Sequence, residues 1–221
     1  MAKQDDVFFA SEGDRWFNRN KTVLSQRGPG DDEILSLLKL YSIKPERVLE
    51  VGASNGYRLF YLHEENKCEV HGVEPSEEAI QSGRNAYPFI NFQRATAESM
   101  KYADNFFDMV LINGVFCWID RNSLLRSCAN IDRVLKWGGH LVIGDFQVPC
   151  FLKRRYHHVT DQDLFTYKMP YKNIFLSTGI YKEIASISYN HDLHAYTDAT
   201  TFQNYWSVAI LKKEDISIFS E

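Results

Sequence analysis

Glu50, Gly52 and Gly56 lie in the run Arg47-Val-Leu-Glu-Val-Gly-Ala-Ser-Asn-Gly56, spaced Glu-x-Gly-x-x-x-Gly. An apolar run that breaks into glycines before a helix lets a ligand approach backbone where no Cβ intervenes. The helix start adds free N–H groups. Ala53 and Ser54 stand where a Gly-x-Gly-x-x-Gly fingerprint needs its middle glycine, and no P-loop lysine follows. Glu74 ends the next apolar run, 24 positions after Glu50, near the spacing at which a βαβ unit places a diol-binding acid. A carboxylate there accepts two hydrogen bonds from a diol; the plainer alternative is a surface acid. Further on, Lys153-Arg-Arg-Tyr-His-His158 gathers Arg154, Arg155, Tyr156, His157 and His158. Such a loop either holds an anionic substrate and supplies a base, or is simply solvated. Histidine has the ordinary pKa for taking a proton from a hydroxyl near neutral pH. Asp145, at the end of another apolar run, is the second candidate base.

The elements that must position these groups alternate. Strands are expected at 47–51, 69–74, 90–94, 107–113 and 140–146, with helices at 57–65, 76–85 and 121–135 between them. The glycines of Lys136-Trp-Gly-Gly139 are expected to close the last helix. Before the first strand, Asp31 is expected to cap a helix striped with Ile34, Leu35, Leu37, Leu38 and Tyr41. Alternation of this kind predicts an α/β, doubly wound, Rossmann-like parallel sheet with helices on both faces. Residues 150–181 read as irregular, and 182–189 with 205–212 as an antiparallel hairpin at the sheet edge. Residues 1–30 form an N-terminal helical extension whose Phe8, Phe9, Trp16 and Phe17 sit among charged residues. It is either a helix docked on the domain or a lid broken at Gly13-Asp14; residues 31–221 form the domain proper.

Composition narrows the class. Formal charge is −4, from 25 basic and 29 acidic residues, so no general attraction for nucleic acid is expected. Cys68, Cys117, Cys128 and Cys150 form no Cys-x-x-Cys pair and read as reduced thiols. No signal-peptide core opens the chain, and no apolar run nears the ~20 residues that span a bilayer. A cytoplasmic chain with a small-molecule partner, no membrane and no metal site is expected, as a monomer or homodimer.

Val48-Leu-Glu-Val-Gly-Ala-Ser-Asn-Gly56 resembles the first motif of class I S-adenosylmethionine (SAM)-dependent methyltransferases. The resemblance implies SAM as cofactor, S-adenosylhomocysteine (SAH) as its product, and a seven-stranded sheet with a reversed last strand. It also implies that the backbone of Gly52, Ala53 and Gly56 lines the methionine portion. Glu50 would join a hydrogen-bond network near the ammonium, Ser54 and Asn55 would bond the carboxylate, Glu74 the ribose, and Pro75 would flank adenine. Ala95-Thr-Ala-Glu98 resembles the adenine-contacting motif, with Thr96 where the family often has aspartate. Ala97 N–H and Glu98 then remain as adenine partners; a helix start capped by Thr96 is the alternative. In Asn113-Gly-Val-Phe-Cys-Trp118, the resemblance turns the backbone of Asn113 and Gly114 toward the methionine ammonium. Phe116 and Trp118 then either face substrate or fill the core. The absent Asn-Pro-Pro-Tyr motif counts against methylation of DNA-base or glutamine amino groups.

Residues 5–20, with Trp16 and Arg19, also look like the start of methyltransferases from bacterial polysaccharide and nucleotide-sugar pathways. The expected function is therefore O-methylation of a small, anionic molecule such as a sugar or nucleotide-linked sugar. His157 or His158 would be the base, with Asp145 second, and Tyr156 would position substrate. The rivals are an N-methyltransferase of a small amine or amino sugar, a non-catalytic SAM-binding module, and an NAD-dependent enzyme.

Overall fold

β1 (Arg47–Val51), β2 (Glu69–Glu74), β3 (Asn91–Arg94), β4 (Phe107–Asn113) and β5 (Leu135–Phe146) pair in parallel in a computed structural model of the chain. The structure describes residues 4–159, 163–193, 195–196 and 201–215. Residues 1–3 of the extension and 160–162 of the basic segment lie outside them. The seven-stranded order is β3-β2-β1-β4-β5-β9-β8. β8 (Tyr181–Asn190) forms the edge, and β9 (Tyr205–Lys213) inserts between β5 and β8, antiparallel to both. The predicted terminal hairpin is thus present, with its second strand inside the sheet.

The central strands read as unbroken apolar runs because both of their faces are covered. Val48, Leu49, Met109–Ile112, Leu141 and Val142 are fully buried, each such side chain worth about 1.5–3 kcal/mol against exposure. The strand order reverses between β1 and β4, which opens a crevice at the C-terminal strand ends.

The helices around the sheet depart from the sequence reading in detail. α1 (Gln4–Val7) runs through a π-turn at Phe8–Glu12 into α2 (Gly13–Gln26), so Gly13 does not break the rod. Gly13 is needed for another reason. A Cβ there would lie 2.8 Å from the Phe8 carbonyl and 3.3 Å from the Ser76 nitrogen, so it permits close docking on the start of α5. α3 (Glu33–Leu40) is capped by Asp32, one residue beyond the predicted Asp31, because the Asp32 carboxylate accepts N–H bonds from Ile34 and Leu35. α4 (Tyr57–Asn66) and α5 (Glu77–Ala86) follow as expected, and Ser76 caps α5 through the Ala79 N–H.

α6 (Leu124–Val134) starts three residues late, and the glycines after it do not close it. Leu135 already pairs with Phe107; the chain bulges through Lys136–Gly139, with Gly138 at φ +78°, and rejoins β4 where His140 meets Met109. Residues 150–181, read as irregular, contain the hairpin β6 (Leu152–Arg155) and β7 (Phe165–Lys168) and the short α7 (Lys172–Leu176).

Candidate active site

The β1–α4 loop builds its own cradle. Gly52, Ser54 and Gly56 have φ of +75°, +50° and +79°, and a Cβ on Gly52 would fall 2.2 Å from Val115. The Glu74 carboxylate closes the turn from below, accepting N–H bonds from Ser54 (2.8 Å) and Ser76 (2.9 Å). Burial pushes its pKa up to about 7, against those two bonds. Each oxygen keeps a lone pair for a ligand hydroxyl.

Glu50 lies under the loop. The buried Arg58 guanidinium pairs with it and with Asp32, and also donates to the Tyr57 hydroxyl. Burial raises the Glu50 pKa while Arg58 pulls the other way. The same guanidinium holds Asp32 below the usual carboxylate range despite its burial. Three buried polar atoms of residues at the strand ends make no hydrogen bond among the described residues: Glu50 Oε2, Ser54 Oγ and Trp206 Nε1. Buried polar atoms are normally paired, so atoms left open here mark a place where a ligand supplies the partners.

A cavity of about 920 Å³ runs from this cradle across the strand ends. It gathers most of the residues singled out in the sequence: Trp16, Arg19, Glu50, Gly52, Ala53, Ser54, Glu74, Pro75, Thr96, Ala97, Asn113, Gly114, Trp118, Arg154, Arg155, Tyr156, His157 and His158. Five others do not line it. Gly56 packs under Ile90 and Phe92, where a Cβ would lie 2.7 and 2.8 Å from their side chains. Asn55 sits behind the loop, its backbone oxygen against Gly83. Glu98 pairs with Arg126 of α6. Phe116 is fully buried and stacks on Tyr171 at 5.3 Å. Asp145, also buried, accepts N–H bonds from Phe146 and Cys117, so it ties the end of β5 to the turn after β4. Burial pushes its pKa up to about 7.

The N-terminal rod lies over the cavity mouth. Asp14 accepts from the Ser76 hydroxyl (2.6 Å) and the Glu78 N–H (3.1 Å), Gln4 bonds Trp118 and Phe165, and Arg94 bonds the Phe9 carbonyl (3.0 Å). Arg19 reaches the buried Glu12 and the Tyr156 hydroxyl (2.7 Å). Tyr156 packs on Trp118 at 4.6 Å, and burial pushes its pKa up to about 12. His157 and His158 stand exposed at the rim with their rings 3.9 Å apart. Partial desolvation, then His157 and Arg19, hold the His158 pKa below its ordinary value.

The far wall was not assigned from sequence. Phe146, His191, Trp206 and Lys168 line it, from the ends of β5, β8, β9 and β7. Three of these elements meet only through long-range pairing, so linear spacing carries no sign of their convergence. The one local signal was the alternation in Phe165-Thr-Tyr-Lys168, masked by the charges of its partner strand.

Residues 49–143 match the family described as "Methyltransferase domain". The core of this chain is thus similar in sequence to methyltransferase domains. Its sequence is 28% identical over 117 residues to demethylmenaquinone methyltransferase of Bacteroides fragilis, covering 50% of this chain and 47% of that one. It is 30% identical over 119 residues to malonyl-[acyl-carrier protein] O-methyltransferase of Halorhodospira halophila, covering 52% and 40%. The chain thus spans about half the length of the curated relatives it matches. Among solved structures, 1,6-didemethyltoxoflavin-N1-methyltransferase of Burkholderia thailandensis superposes with TM-score 0.71 at 15% identity, over 97% of this chain and 92% of that one. The N-methyltransferase NodS of Bradyrhizobium japonicum does so with TM-score 0.59 at 16% identity, over 97% and 100%. At such identities the likeness is one of fold.

The cofactor that such a methyltransferase domain takes is SAM, and the residues present fit it. Glycines leave the loop bare, Glu74 has capacity for a diol, and unpaired polar atoms at Glu50 and Ser54 sit where a methionine end would lie. Among the described residues no His, Cys, Asp and Glu cluster suited to a metal ion occurs, and no helix is long and apolar enough to cross a membrane.

Proposed function

We propose that the chain transfers a methyl group from SAM to a hydroxyl of a small, anionic, ring-bearing molecule, with a sugar or nucleotide-linked sugar as the first class to test. The observation that carries this reading is one cavity with two unlike ends. At one end is the glycine cradle with Glu74; at the other is a chamber of aromatic walls with Arg154 and Lys168. SAM brings a methyl group already activated on a sulfonium.

What remains for the protein is binding, alignment and water exclusion. Glu74 and the loop fix the adenosyl end. Trp206 stands against Gly114, where an added Cβ would lie 3.3 Å from its ring, and so separates the cofactor half from the acceptor half. The N-terminal rod, with Trp16 and Arg19, acts as the cover. Opening requires parting Arg19 from Tyr156 and Asp14 from α5. His158, with its pKa below the ordinary 6.5, is neutral near pH 7 and free to take the hydroxyl proton at its ring nitrogen. Asp145 is walled off from the cavity and acts through positioning.

The test is SAH release from SAM with glucose 1-phosphate, glucuronate, 4-hydroxybenzoate and matched amines as acceptors. Methylation of a hydroxyl acceptor is expected. SAM binding with no transfer to any of these would favour a non-catalytic binding module instead.

A further inference from the structure

Outside the cofactor cradle, the polar chemistry concentrates on one face of the β6–β7 hairpin. Arg154 pairs across it with Thr166 and Leu152 with Lys168, so Arg154, Thr166 and Lys168 share a face. All three of these polar residues line the cavity. Lys168 is only 8% exposed, yet among the described residues no carboxylate lies within ion-pair distance of it. Its ammonium donates to the Gln203 carbonyl (2.9 Å) and sits 3.9 Å above the Phe146 ring. Burial, then Arg154, lower its pKa; the Asp192 carboxylate faces it, but it is already held by the His191 ring (3.1 Å) and the Asn204 amide. Trp206, whose ring packs on that of Phe146 at 5.0 Å, is 6% exposed, and its Nε1–H finds no acceptor among the described residues. The rings of His191, Phe146 and Trp206 pack as a triangle, with centroids 4.8 to 5.1 Å apart.

A buried cation with no carboxylate at ion-pair distance among the described residues, a second cation on the same face and an unused buried donor describe half of an ion pair. We infer that Arg154, Lys168 and the Trp206 N–H form an oxyanion pocket that selects acceptors carrying a phosphate or carboxylate on a ring, the ring lying against Phe146 and His191. This rests on the proposed methyl transfer, and it names what the acceptor must carry. Other cations near the cavity have partners elsewhere: Arg19 is tied to Glu12 and Tyr156, Arg155 pairs with Asp163 (3.4 Å), and Lys153 faces Phe165 on the other side of the hairpin.

The experiment is calorimetric titration of the SAH-saturated full chain with two matched pairs, glucose 1-phosphate against glucose and benzoate against benzyl alcohol. Each anion is expected to bind about tenfold more tightly than its neutral partner, as charge-assisted bonds to a desolvated site require. Lys168→Met and Arg154→Met are expected to erase that preference while SAH affinity stays unchanged, and Trp206→Phe to reduce it. If a variant fails to fold, the wild type still decides. Raising the salt from about 0.05 to about 0.5 M is expected to weaken the anions, through competition and screening at the exposed Arg154, more than the neutral compounds. The two pairs also separate phosphate from carboxylate. Equal affinity within both pairs, with SAH bound normally, overturns the pocket and leaves the methyltransferase reading standing. A wild-type chain that binds no SAH overturns that reading and this inference with it.

Discussion

In the proposed reaction two residues serve opposite ends of the chemistry, and each has a pH signature. A ribose diol would donate to an ionised Glu74, whose pKa burial has pushed up to about 7. Binding of SAH is therefore expected to tighten as pH rises from about 6 to about 8 and to release a proton at the lower end. Glu74→Gln, titrated in two buffers of different ionisation heat, should bind weakly and show neither effect. His158 predicts the second signature. With a pKa below 6.5, kcat/KM should rise at acid pH and be level above about pH 7; His158→Gln should lower it by the ~10²–10⁴-fold typical of a lost base, and His157→Gln by less. An unchanged rate in both variants would remove the base from this loop. That Glu50, Gly52, Glu74 and the His157–His158 pair meet at one cavity was legible in sequence, because a strand end and a short motif place each locally. Asp145 and Glu98 were not: an acid at a strand end or loop has two sides to face, and here the Cys117 N–H and Arg126 took them.

The elements that build the cradle are tested at Gly52. Its φ of +75° and the 2.2 Å approach of Val115 to any Cβ leave alanine no room. Gly52→Ala is expected to cost about 1–3 kcal/mol of stability, seen as a lower denaturant midpoint, and to weaken SAH binding by more than the stability loss explains. A variant as stable as wild type would show that the loop relaxes freely. At this scale the five parallel strands and their helices could be read directly, since hydrophobic period and glycine breaks are local. The β6–β7 hairpin could not, because Lys153, Arg154 and Arg155 make its first strand look like loop. Tertiary partners define it: Lys153 lies 3.7 Å above the Phe165 ring, and β7 carries Lys168 into the cavity.

For the whole molecule, burying acids at the strand ends has a cost that pH exposes. Glu74 and Asp145 have folded pKa values raised to about 7, well above those of the unfolded chain. Their contribution to stability is complete below the unfolded pKa and is lost as pH rises through about 7. His71 and His140, depressed by burial, act in the other direction, with stability lost as pH falls below 6.5. The unfolding free energy of the ligand-free chain is thus expected to decline from about pH 5 to about pH 7, offset in part near pH 6 by the histidines, and to level off above that. Glu74→Gln should make that decline shallower. A flat profile would mean that the acids are ionised throughout.

Whether the strand-end cavity is an adenosyl site is decided by calorimetric titration of the full chain with SAH, with NADH as control. One site per chain of micromolar affinity for SAH is expected, lost in Glu74→Ala, with no uptake of NADH. A chain that ignores SAH, or that binds NADH instead, would contradict it.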